Sequence, residues 1–196
     1  RVSIVLPNGP EMAASFLSVT RVATAAPLNP ALKAAEFEFY LKDLDARALL
    51  LPLEDRSEAS GAARKLGLPM VSLHPAPQGP TGAFSWEPRG NPGGRTSTAA
   101  EPADIALVLH TSGTTARPKI VPLSHENLCR SARNVAETLR LGPEDRCLNV
   151  MPLFHIHGLV AALLASLTRG ASVICSPGFQ APDFFEWMAA CAPTWY

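Results

Sequence analysis

Short apolar runs alternate with segments of helical period along most of this chain, and that alternation restricts its fold more than any other feature. Residues 2–6, 48–51 and 70–73 read as buried strands, and residues 11–25, 33–44 and 57–66 between and around them read as helices. In the second helix Phe37, Tyr40, Leu41 and Leu44 recur at i, i+3, i+4 and i+7, one face of a helix. The pattern resumes with strands at 105–110, 120–123, 146–151 and 171–175 and helices at 126–140 and 182–191. Between the last two strands, Ile156, Leu159, Val160, Leu163, Leu164 and Leu167 trace an apolar stripe that stops at Gly170. Strand–helix alternation predicts an α/β fold: a mostly parallel sheet flanked by helices.

From residue 75 to 103 the composition shifts to Pro, Gly, Ser and Thr, residues that favour turns because proline fixes φ and glycine frees it. The expected organisation is a first α/β segment at 1–74, a loop or linker at 75–103, and a second α/β segment at 104–196. The chain opens on Arg1 directly before a strand and closes on Trp195-Tyr196 as another apolar segment begins, so it reads as a piece of a longer protein.

Seventeen basic and seventeen acidic side chains cancel, leaving no basic patch of the kind that nucleic acid requires. No apolar run approaches the ~18 residues of a membrane span. The four cysteines form no Cys-x-x-Cys pair and read as free thiols of an intracellular, cytoplasmic protein.

The chemistry concentrates after the strand at 105–110. Thr111, Ser112, Thr114 and Thr115 surround Gly113, and Lys119 follows four residues past the last threonine. A glycine lets successive N–H groups curl toward one anion, hydroxyls add donors, and a lysine adds a mobile full charge. The spacing is not that of a Walker A loop, and the segment lies between two strands instead of opening a helix. It is a candidate polyphosphate loop; a plain turn is the alternative.

The string Thr-Ser-Gly-Thr-Thr-Ala-Arg-Pro-Lys at 111–119 resembles the signature of the acyl-adenylate-forming superfamily, which holds the phosphates of ATP. A second string, Met-Pro-Leu-Phe-His-Ile-His-Gly-Leu at 151–159, resembles that family's Pro-Leu-Phe-His-x-x-Gly-Leu segment. Residues 6–9, 27–30 and 193–196 add local likeness, closest to acyl-CoA synthetases of the oxalate-CoA ligase type. The chain departs from the signature at Ala116 and Ile120, both usually glycine. The resemblance implies the N-terminal part of an enzyme that uses ATP with Mg2+, a small-molecule carboxylate and coenzyme A. It also implies that the downstream motifs, hinge and late catalytic lysine belong to the missing remainder, without which the piece is inactive. Thr111, Ser112, Gly113, Thr114, Thr115 and Lys119 are then the nucleotide-binding residues, and His155 lines the acyl pocket where the CoA thiol arrives.

His155 and His157 follow a strand end, where ligands of open α/β sheets gather. A metal site using them with Cys147 or Cys175 lacks familiar zinc spacing; His157 is left open between a local structural role and a functional one. His110, just before the loop, reads as a strand residue whose side chain faces a neighbour. The competing readings of the whole are a noncatalytic nucleotide- or partner-binding module and, more weakly, an unrelated phosphotransferase.

Overall fold

The computed structural model describes residues 1–89, 99–111 and 118–196. One sheet is built from β1 (Val2–Ile4), β2 (Ala25–Pro27), β3 (Ala48–Pro52), β4 (Met70–Pro75), β5 (Phe84–Arg89), β6 (Ile105–Thr111) and β7 (Lys119–Ser124). Their spatial order is β5-β4-β3-β1-β2-β6-β7. The middle pairs are parallel, and the outer pairs β4/β5 and β6/β7 are antiparallel. Helices α1 (Pro10–Thr20), α2 (Ala34–Asp43) and α3 (Ala59–Lys65) make the crossovers, and α4 (His125–Thr138) follows β7. A smaller parallel pair, β8 (Arg146–Asn149) and β9 (Ser172–Cys175), is joined by the π-helix His157–Leu164 and the short α5 (Ala165–Leu167). The last helix, α6 (Ala181–Cys191), carries no buried residue.

A parallel sheet covered on both faces needs strands that are apolar at every position, which is why the strands read as continuous apolar runs. Alternate residues serve opposite cores. Leu49, Leu51 and Val108 pack with Phe37 and Leu41 of α2 and with the alanines of α3. Leu50, Leu107 and Leu109 pack with Phe16 of α1, Leu128 of α4 and Leu159 of the π-helix. Each fully buried leucine contributes roughly 2 kcal/mol through removal from water. The start of α4 is set locally: Ser124 Oγ accepts from the Asn127 N–H and Asn127 Oδ1 accepts from the Ser124 N–H, a reciprocal cap.

The mostly parallel sheet flanked by helices agrees with the expected α/β class, and three local expectations are corrected. The helix expected over 11–25 ends at Thr20, and β2 follows it. Ala25 and Ala26 have none of the β-branched character that marks a strand, and this strand exists because β1 and β6 pair with it on either side. The segment 75–103, expected as loop or linker, contains β5, with Trp86 opposite Leu73 and Phe84 opposite Pro75. Strand β6 joins the same sheet as β1–β4, so residues from both sides of that segment share one sheet. The apolar stripe after residue 156 forms a π-helix, with Leu159, Val160 and Leu163 buried but Ile156 and Leu167 exposed. Among the described residues no helix is long and apolar enough to cross a membrane.

Candidate functional site

Strands β1, β2, β3 and β6 run parallel, so their carboxyl ends share one edge of the sheet, where open α/β sheets place their ligands. Thr111 ends β6 and Lys119 begins β7, and the two are register partners across the antiparallel pair. Both are exposed. The sheet therefore sets the two residues side by side at the root of the segment between them. Ser112, Gly113, Thr114 and Thr115, with Ala116 and Arg117, lie outside the described residues. Ile120, at a position where the signature has glycine, sits opposite His110 and packs partly buried against the α2/α3 core.

A cleft of about 280 Å³ opens at this edge. Its lining includes Leu28, Asn29, Tyr40 of α2, His110 and Thr111 of β6, and Phe154 and His155. His155 is thereby brought beside the end of β6, 44 positions away in the chain, its exposed ring 4.8 Å from that of Phe154. Lys119 is not among the residues lining the cleft. His157 is exposed at the first position of the π-helix.

The neighbour that His110 faces is an acid. Nε2 of its nearly buried ring lies 2.9 Å from Oδ2 of Asp43, and the Tyr40 ring meets it edge-on at 4.6 Å. Burial, with Glu36 nearby, holds the Tyr40 phenol above its ordinary pKa. No local sequence signal connects Asp43 to His110, because one ends a helix and the other lies in a strand.

The turn that carries His155 is tied down at several points. The Met151 N–H donates to Asn149 Oδ1 at 3.0 Å and the Leu153 N–H to Asn8 Oδ1 at 2.7 Å. The His155 N–H donates to the Pro152 carbonyl at 3.1 Å. Gly158 then allows the π-helix to start against that carbonyl, since a Cβ there would lie 2.5 Å from Pro152 O. The Asn8 amide donates in turn to Ser176 O, at 2.7 Å.

A second crevice of about 570 Å³ lies at the same edge, where β1 and β3 part and their following helices diverge to opposite faces; Pro7, Pro52, Asp55 and Arg56 line it. The larger cavity of about 650 Å³, lined by Arg21, Val22, Trp86 and His125, lies at the amino-terminal edge, away from the strand ends that carry Thr111 and His155. The thiols take no part in the cleft. Burial pushes Cys147 up to about 12 and Cys175 up to about 11, so both stay protonated at neutral pH. Among the described residues no three His, Cys, Asp or Glu side chains converge to hold a metal ion.

A parallel-cored sheet with its cleft at the strands' carboxyl ends is the architecture of ligand-binding α/β proteins. The chain belongs to the AMP-binding enzyme family, whose pattern it matches over residues 1–196. It is 41% identical over its whole length to a probable CoA ligase, CCL9, of Humulus lupulus, of which it covers 38%. It is 42% identical, again over its whole length, to the oxalate–CoA ligase of Arabidopsis thaliana, covering 39% of that protein. Ninety-six per cent of the chain superposes on the crystal structure of ATP-bound MatB from Rhodopseudomonas palustris, with a TM-score of 0.76, 26% identity and 37% of MatB covered. The chain thus spans about two fifths of the length of these relatives.

Proposed function

We propose that this chain forms part of an AMP-forming acyl-CoA synthetase acting on a small carboxylate, with oxalate the first substrate to test. In the first step a carboxylate oxygen attacks the α-phosphorus of ATP, giving acyl-AMP and pyrophosphate. In the second the CoA thiol attacks the acyl carbonyl, releasing AMP and a proton and leaving the thioester. The observation that carries this reading is the meeting of Thr111, its register partner Lys119 and, across the adjoining cleft, His155 at one edge of the sheet.

In this reading Thr111, Ser112, Thr114, Thr115 and Lys119 hold the β- and γ-phosphates, and Gly113 permits close backbone approach. Donors fixed before the reaction neutralise charge as it develops on the leaving pyrophosphate. Magnesium would arrive with the nucleotide and would offset the charge of its phosphates. His155 borders the acyl side of the cleft. The relatives' names, CoA ligase and oxalate–CoA ligase, support the thioester product and the substrate class. The partly buried Ile120 packs against the α2/α3 core, which gives this departure from the signature a structural role. The proposed setting is the cytoplasm, where the four free cysteines remain reduced.

The test uses the native gene product carrying this sequence, with ATP, magnesium, oxalate and CoA, following pyrophosphate, AMP and thioester separately. Lys119→Ala is expected to slow pyrophosphate release about 100-fold, the usual loss for one fixed donor to developing charge. His155→Ala is expected to spare the KM for ATP and to impair carboxylate use or thioester formation. The 196 residues by themselves are expected to show no turnover. Formation of ADP in place of AMP, or full activity in both variants, would overturn the assignment.

A further inference from the structure

We propose that Asn8 is the positioning residue for the turn that carries His155, acting as a clamp between the central strand of the large sheet and the two loops that follow β8 and β9. Asn8 lies four residues past the end of β1, a strand with neighbours on both sides. Its half-buried amide reaches two segments far away in the chain: Oδ1 accepts from the Leu153 N–H at 2.7 Å, and Nδ2 donates to the Ser176 carbonyl at 2.7 Å. A backbone N–H can only donate and a carbonyl can only accept, so one orientation of the amide satisfies both partners. Aspartate has no donor for Ser176, and leucine, of similar shape, has neither group.

The two loops are also joined to each other. The Asn149 carbonyl accepts from the Ser176 hydroxyl at 3.0 Å and from its N–H at 3.3 Å, while Asn149 Oδ1 holds Met151. Ser176 and Asn149 are both buried, so these groups have little water to replace a lost partner. Between Asn8 and His155 the chain has little freedom. Leu153 is locked into the α1/α4 core, Pro152 has no N–H, and the Pro152 carbonyl is held by the His155 N–H with Gly158 pressed against it. Asn8 is thus the side chain that ties this turn to the segment following β1, beside the Asn149 contact to Met151 and the burial of Leu153. Lys119 and Thr111 are held by β6/β7 pairing and owe nothing to Asn8.

This inference deepens the proposed acyl-site role of His155 and rests on it for its catalytic arm. In the native gene product, Asn8→Leu is expected to speed amide hydrogen exchange in residues 151–157 roughly tenfold, with exchange in β6 and β7 unchanged. The KM for the carboxylate is expected to rise about tenfold while the KM for ATP stays within about twofold, a split that general destabilisation does not produce. Unchanged exchange at 151–157, or a uniform rise along the chain, overturns the clamp. Should Asn8→Leu not fold, Asn8→Asp keeps the acceptor for Leu153: residues 176–178 then loosen more than 151–157, and equal loosening of all segments overturns it. If the wild-type protein activates no short carboxylate, the proposed function fails, and the exchange measurement still decides the role of Asn8.

Discussion

Nε2 of His110 and Oδ2 of Asp43 stand 2.9 Å apart, tying the penultimate residue of β6 to the last residue of α2. The phosphate-loop candidate begins directly beyond that contact, so the pair stiffens one of its two roots. Asp43 is 38% exposed, and water takes over part of its role when the partner is lost. A double-mutant cycle of Asp43→Ala and His110→Phe in urea is expected to give a coupling of about 1 kcal/mol. Either single variant is expected to weaken ATP binding by roughly twofold to tenfold, the range of a modest loss of preorganisation. Additive variants with unchanged ATP affinity would remove any role for the pair.

Two glycines predict opposite outcomes for the same substitution. At Gly158 a Cβ would sit 2.5 Å from Pro152 O and 3.0 Å from Met151 O, both backbone atoms that cannot move aside without moving the His155 turn. Gly158→Ala is expected to cost about 2 kcal/mol or more and to impair carboxylate use. Gly61 lies inside α3 with nothing within 4 Å of its added Cβ. Gly61→Ala is expected to raise stability by about 0.5 to 1 kcal/mol, since alanine loses less backbone entropy than glycine on folding. Thermal melts of the two variants check both signs.

Two thiols, the buried Cys147 and the half-buried Cys175, make the fold sensitive to alkali. Cys147 and Cys175 titrate near 12 and 11 in the folded protein, against 9 when exposed on unfolding. Below pH 9 both states keep the proton and the thiols add no pH dependence. As pH rises from 9 toward 12, the unfolded chain loses protons that the folded chain retains, and stability falls. Urea melts at intervals from about pH 7 to about pH 11 are expected to be level and then decline, and Cys147→Ala should flatten the decline. Iodoacetamide at about pH 8 should label the exposed Cys129 in the native protein and reach the buried Cys147 only after unfolding.

The cap of α4 offers a local test. Ser124→Ala removes the acceptor of the Asn127 N–H and is expected to cost about 1 kcal/mol, the usual value for a lost N-cap. Ser124→Asp restores the acceptor and should recover most of that loss, as read by urea denaturation.

Several of these features are legible in the residues alone. Helix α4, expected at 126–140, is found at His125–Thr138, because its apolar period is local. The apolar strands at 48–51 and 105–110 are rich enough in leucine, isoleucine and valine to declare burial on both faces. In contrast, β2 is two alanines and a proline, and β5 contains a proline within a turn-rich segment. The alanines of β2 and the proline within β5 are poor strand signals, and both segments are held in the sheet by pairing with neighbouring strands. The π-helix has an apolar stripe compatible with an ordinary helix. Its wider coil is tied to the close approach of Gly158 to Pro152, a contact that no periodicity encodes.

Periodicity, capping and donor chemistry act over a few residues. They are enough to dictate the alternation of elements, the two-sided burial of the middle strands and the order Thr-Ser-Gly-Thr-Thr with its lysine. Folding in three dimensions was needed to place Thr111 in one cleft with His155, to set Asp43 against His110, and to let Asn8 hold Leu153 and Ser176. Those contacts join residues far apart in the chain. They depend on crossovers that stack distant strands into one sheet, and the free energy that selects them comes from burying both faces of that sheet at once.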